Sequence, residues 1–285
     1  MSFHVIEADG YRLVCDLENG GCIRSLTWND QDVLRPAGEG DVDPLSMGSF
    51  PLVPFSNRLG QDVPGPDGVL RLPRYLDFCE HAIHGFGWKR RWRLLEKTSN
   101  AISFELTDDT SPWPAPYRAV QQIVIADGAV SIGIAIEPLG EGGLPAGIGL
   151  HPYFPRGDAQ LAINVAGKWD KGADSLPAKV GENPLFGEGH SEVGSLRLDH
   201  SFAGWDGEAR LTWPSRGLSV QLSACETLRD LVIYVPDDDY ICIEPVSHLT
   251  NAMFGGSEEL GHGWRVLEPG QTLKGSFEIK ASALP

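Results

Sequence analysis

The chain is short of cations, poor in cysteine and without any long apolar run. Lys and Arg number 23 against 39 Asp and Glu, a formal net charge of -16 at pH 7, and the isoelectric point is near 4.8. A surface of that sign offers no electrostatic footprint for nucleic acid or for an anionic membrane, so neither is expected as a partner. The five cysteines, Cys15, Cys22, Cys79, Cys225 and Cys242, form no C-x-x-C pair and leave one unmatched. That argues against a disulfide framework or a cysteine-built zinc site and fits a reducing compartment. No run approaches the roughly 18 apolar residues of a membrane span, and the opening stretch MSFHVIEADG lacks the basic and apolar regions of a signal peptide. A cytoplasmic protein is expected. Also missing are a G-x-S-x-G elbow, a phosphate-cradling loop, and a G-x-G-x-x-G opening a helix, because Pro152 interrupts the nearest candidate at Gly147. Serine hydrolases and nucleotide enzymes are thereby disfavoured.

Glycine and proline are plentiful, 34 and 21 of 285 residues, above the roughly 12% of average usage, yet no low-complexity period accompanies them. The excess belongs to turns between short β-rich segments such as WRLLEKTSNAISFELT, QQIVIADGAVSIGIAIEP, ARLTWPSRGLSVQLS and YICIEPV. In the second of these, Asp127-Gly128 is a hairpin-turn dipeptide, and Ile132, Ile134 and Ile136 alternate with Ser131, Gly133 and Ala135. No stretch of comparable length carries a 3.6-residue period. The pattern predicts an all-β class, a large antiparallel β-sandwich forming a single domain over residues 1–285. The Pro- and Gly-rich stretches QDVPGPDGVL and KGADSLPAKVGENPLFGEGH read as long surface loops. The cationic run WKRRWR, Trp88 to Arg93, reads as a strand with alternating charged and apolar residues rather than a nucleic-acid patch.

Four places break this grammar: FPLVPFSNRLG, HAIHGFGW, GLHPYF and CIEPVSH. Each sets a titratable or charged group among apolar or glycine neighbours. Pro152 and Pro245 follow His151 and Glu244, which places each group at a stiffened strand end. Singly, each has a structural reading: His151 as a core histidine, Arg58 as an ion pair, His84 as a turn donor, Glu244 as an edge charge. Together, a carboxylate, two imidazoles and a guanidinium among aromatics are the parts for acid-base work on a polyhydroxylated ligand.

In these segments the chain resembles the aldose 1-epimerases, or galactose mutarotases, in the bacterial branch that carries HGFGW. The resemblance runs through PFSNRLG (residues 54–60), HGFGW (84–88), GLHPYF (149–154), LDHSFAGWDG (198–207) and CIEPVSH (242–248). It implies the large β-sandwich of that family, no cofactor, and a small-molecule sugar as the partner of a monomer or homodimer. Asn57 and Arg58 match the family's substrate-binding pair, and His84 and His151 its two active-site histidines. Asp199 matches an aspartate that binds sugar hydroxyls, and Glu244 the catalytic carboxylate. Trp205 and Asp206 lie close by in sequence without a firm match.

The implied reaction opens a cyclic hemiacetal by removing the anomeric proton while protonating the ring oxygen, then recloses the aldehyde on its other face. Glu244, near its ordinary pKa of about 4.3, would take the anomeric proton, and His151, near about 6.5, would protonate the ring oxygen. His84 and Arg58 would address the ring-oxygen side and neighbouring hydroxyls, and Asp199 would fix the sugar's register. Three rival readings stay open. A hexose-6-phosphate mutarotase would need cations such as Lys89, Arg90 and Arg91. A non-catalytic carbohydrate-binding protein would use the same lining without turnover. A metal site could draw on His81, His84, His151 and Glu244, although no metal is expected.

Overall fold

The computed structural model describes residues 3–60, 62–65, 68–77, 79–182, 191–254 and 263–284. Two large antiparallel sheets dominate. Among the described residues one has eleven strands and the other nine. The strand Leu273–Ala283 shows why the second sheet forms: its apolar residues recur at every second position, and burial alternates with them to its penultimate pair. Tyr117–Ala126 and Ala129–Pro138 make the expected hairpin with all ten residues of each in register. Asp127 and Gly128 both carry positive φ, 53° and 71°, the backbone that a tight hairpin of matching twist requires.

The first sheet is different, because its central strands are buried on both faces. Gly149–Pro155 is buried over its first six residues and Tyr240–Val246 over its last six. Period-two alternation sorts the two faces. Leu150, Phe154, Ile241, Ile243, Leu231 and Ile233 enter the inter-sheet core. Their neighbours Phe50, Tyr153, Val232 and Cys242 form a second apolar cluster on the opposite face, with Trp88 packed over it. Truncating a fully buried Leu or Ile of the inter-sheet core to Ala would cost about 2–5 kcal/mol. The second cluster is where the motifs meet.

Three sequence expectations are corrected. WKRRWR is not a strand: Gly87–Lys89 is a short 3-10 turn and the next strand starts at Arg93. The cause is the preceding glycines. Gly85 has φ 68° and lies so close to Val53 that a Cβ would sit 2.1 Å from the Val53 carbonyl oxygen, so the chain turns tightly there. The stretch over residues 61–70 is not a plain loop, since Val63–Gly65 pairs with Gly68–Leu70. The stretch beginning at Lys171 is partly strand, with Pro177–Gly181 paired to Gly167–Lys171; residues 183–190 lie outside the described residues.

Candidate active site

His151 and Glu244 come from adjacent antiparallel strands of the first sheet. Their ladder joins Gly149 to Val246 and resumes at Tyr153 and Cys242. Pro152 and Pro245 lie between those rungs and have no N–H to give, so the pairing lapses where the two titratable groups sit. The strands nonetheless continue on their other sides, with Pro152 opposite Ser49 and Pro245 opposite Leu231. His151 and Glu244 therefore lie inside continuous strands rather than at strand ends. Across the gap His151 Nε2 is 3.4 Å from Glu244 Oε1.

The His151 ring is held in a stack. Phe50, its cross-strand neighbour, lies 4.6 Å away and nearly parallel, and Tyr153, two residues on and on the same face, lies 4.7 Å away. The Arg35 guanidinium caps the stack 4.1 Å from the Tyr153 ring centroid. His84 meets His151 edge-on at 5.0 Å. It adopts a left-handed backbone, φ 63°, a conformation that costs a non-glycine residue about 1 kcal/mol or more and persists where surrounding structure enforces it. Here the His84 amide donates to the Asn57 carbonyl at 2.9 Å. Asn57, itself at φ 50°, accepts from the Arg58 amide at 2.9 Å and from Arg58 Nη1 at 3.2 Å through its side-chain oxygen. Arg58 Nη2 then donates to Asp199 Oδ2 at 3.1 Å, and Lys171 Nζ reaches the same oxygen at 2.6 Å.

Asn57, Arg58, His84, His151, Asp199 and Glu244 thus line one cavity of about 260 Å³, walled also by Tyr153, Tyr234 and Tyr240. A larger hollow of about 600 Å³ lies over the second sheet beside Cys225 and Lys274, but it brings together no buried acid-base pair. His81 is elsewhere, its Nε2 2.8 Å from the Asp174 carbonyl, so three of the four possible metal-binding side chains converge and the fourth does not. Trp205 and Asp206 are also outside the cavity, engaged with the Glu208 carbonyl and Asn164. Arg90 pairs with Asp108, Arg91 with Glu18 and Lys89 with Asp43. Sequence reasoning missed Tyr153, which the period of two from His151 places on the same face, and Lys171, which was hidden in a stretch read as loop.

Burial governs the charges. It pushes the Glu244 carboxyl well above the usual carboxylate range, with Asp199 adding to the effect, and pulls His151 down to about 3. His84 is held well below the usual imidazole range by burial, then by His151 and Arg58. The expectation of a readily charged His151 beside an ionised Glu244 is overturned for the free site, where desolvation favours both neutral forms. Burial also tends to raise Asp199, but Arg58 and Lys171 outweigh it and keep the carboxylate ionised. Glu244 Oε2 and the Nδ1 atoms of His84 and His151 are buried without a hydrogen-bond partner among the described residues, so hydrogen-bonding capacity is left over at the cavity.

A profile of the aldose 1-epimerase family matches residues 5–280. The chain belongs to the aldose 1-epimerase family. YphB, an uncharacterized protein of Escherichia coli strain K12, is 24% identical over 244 residues, covering 81% of this chain and 83% of its own. A crystal structure of an Escherichia coli K12 protein superposes with a TM-score of 0.89 at 22% identity, covering 99% of each chain. A galactose mutarotase-like protein from Clostridium acetobutylicum gives 0.86 at 16% identity, covering 98% of this chain and 95% of that one. The family is one of epimerase-type isomerases, and the fold is that of the galactose mutarotase-like structures. Among the described residues no helix is long and apolar enough to cross a membrane.

Proposed function

We propose that this aldose 1-epimerase family member is a mutarotase that interconverts the α and β anomers of a free, neutral aldose. The observation that carries the proposal is the buried His151–Glu244 pair, 3.4 Å apart, in a cavity whose polar lining, Asn57, Arg58, His84 and Asp199, can bind hydroxyls. The pair supplies one transferable proton, whether as neutral imidazole with carboxylic acid or as imidazolium with carboxylate. Sugar hydroxyls and Arg58 beside the pair favour the charged arrangement on binding. Glu244 then takes the proton from the anomeric hydroxyl, the C1–O5 bond breaks with its electrons going to O5, and His151 protonates O5. After rotation about C1–C2 the two groups exchange roles, so the pair ends with the proton count it began with. Asn57, Arg58, His84 and Asp199 hold the sugar. Asp199, clamped through one oxygen by two cations, keeps its other oxygen as an acceptor for a hydroxyl.

The test is polarimetry. Pure anomers of a panel of aldoses, with and without the protein, should relax to equilibrium optical rotation faster with it for at least one neutral sugar. Saturable binding of a sugar with no acceleration of any anomerisation would replace the mutarotase with a carbohydrate-binding protein.

A further inference from the structure

Among the described residues, one trio of metal-ligating side chains has its ligand atoms gathered together: His84, His151 and Glu244, all within 4.8 Å of one another. Two imidazoles and one carboxylate form the donor set that transition-metal ions of the zinc class prefer, with a water completing the coordination. In a tetrahedral site with bonds of about 2.0–2.2 Å, neighbouring donors lie roughly 3.3 Å apart. The His151 Nε2–Glu244 Oε1 separation of 3.4 Å already meets that spacing, and the whole trio lies within 4.8 Å. The three side chains are more than nine-tenths buried, with exposures of 5%, 4% and 1%. Each carries a buried polar atom with no hydrogen-bond partner among the described residues. The stack of Phe50 and Tyr153 around His151 fixes one ligand in place, so ordering it on metal binding has little left to cost. The formal charge of -16 raises the local concentration of cations.

We propose that His84, His151 and Glu244 bind one zinc-class divalent cation at the mouth of the proton-transfer pair, and that this cation excludes the sugar. The ion uses the lone pairs that the proposed anomerisation needs, so occupancy and turnover are mutually exclusive. Magnesium and calcium, which require several oxygen donors, find one carboxylate here and do not compete. The inhibitory part rests on the mutarotase reading; the binding part does not.

The experiment separates the two. Full-length protein freed of metal with a chelator is titrated with Zn²⁺ by calorimetry, and with Co²⁺ while following its visible absorption. One ion per chain is expected, with affinity weakened at least tenfold in His84→Ala and in Glu244→Gln and unchanged in His81→Ala. The isosteric Glu244→Gln carries the comparison if His84→Ala does not fold. No saturable one-to-one binding, or equal affinity in the ligand variants, overturns the site. In anomerisation assays, Zn²⁺ at ten times its Kd should raise KM about tenfold with kcat unchanged, and chelator should reverse it. Zn²⁺ that binds but leaves KM unaltered in an active protein overturns the competition. A metal-free protein inactive on every sugar, yet binding one Zn²⁺ through these residues, would refute the mutarotase reading while supporting the site.

Discussion

Burial is the dominant influence on both members of the His151–Glu244 pair, and it leads to two predictions. The first concerns stability. The folded-state pKa of Glu244 lies well above its ordinary value, so the stabilisation associated with the protonated form is fully present below about pH 4.3 and is lost as pH rises through the folded value. At neutral pH the burial therefore costs free energy. Glu244→Gln removes the ionisable group, should raise stability at pH 7 by about 1–3 kcal/mol in denaturant unfolding, and should lose that advantage near pH 4. The same variant should lose about 100-fold or more in kcat/KM; near-full activity in a folded variant would remove Glu244 from the reaction. The second prediction is the pH profile. The pair works while it holds one proton, from about 3, where His151 takes a second, up to the raised range of Glu244. kcat/KM should stay level across the ordinary carboxylate and imidazole ranges, about 4.3 and 6.5. A bell with limbs at those two values would show independent, unperturbed groups instead. His151 acts oppositely on stability: its pKa is depressed, so its contribution is present above about 6.5 and declines as pH falls towards 3.

Elements place these residues through a few backbone positions that the sequence marks only indirectly. Gly85 is the sharpest case. Its φ of 68° and its approach to the Val53 carbonyl leave no room for a Cβ, and that carbonyl accepts both the Phe86 and Gly87 amides, at 2.8 and 3.1 Å. Gly85→Ala should therefore destabilise the protein by about 2 kcal/mol or more and displace His84 from its neighbours. Denaturant midpoints unchanged from wild type, with kcat/KM intact, would contradict that role. The hairpins were legible in the sequence because one face of the second sheet meets solvent and imposes strict alternation. The central strands of the first sheet were harder to read, since both faces are buried and the two prolines resemble terminators. They interrupt one ladder only, and the register kept on both sides of the gap sets His151 opposite Glu244. The six proposed site residues were legible through motif resemblance, while their meeting in one cavity depends on pairings such as Asp199 with Tyr234 and Val232 with Glu244, which no local pattern encodes. Lys171 stayed hidden because its strand is short and followed by glycine, so nothing in the period announced a side chain aimed at Asp199.

At the scale of the whole molecule, charge bears on which sugars the cavity can accept. The net charge of -16 repels dianions approaching the cavity, more strongly at low salt. At its wall Arg58, and from behind it Lys171, both engage Asp199 Oδ2, and releasing either to a phosphate would leave a half-buried carboxylate poorly paired. The cationic run that could have served a phosphate points away, each of Lys89, Arg90 and Arg91 being matched to an acidic side chain outside the cavity lining. A neutral aldose should consequently be preferred over its 6-phosphate by at least tenfold in kcat/KM, about 1.4 kcal/mol of transition-state binding. The double variant Arg90→Ala, Arg91→Ala should keep that preference and its rate on neutral sugar. It should lose some stability, since the mostly buried Asp108 carboxylate would be deprived of the Arg90 partner. Measuring kcat/KM for one sugar and its 6-phosphate, in wild type and in the double variant, checks each step. A wild-type preference for the phosphate that disappears when both arginines are removed would mean that the run reaches the substrate after all, and would overturn the neutral-sugar assignment.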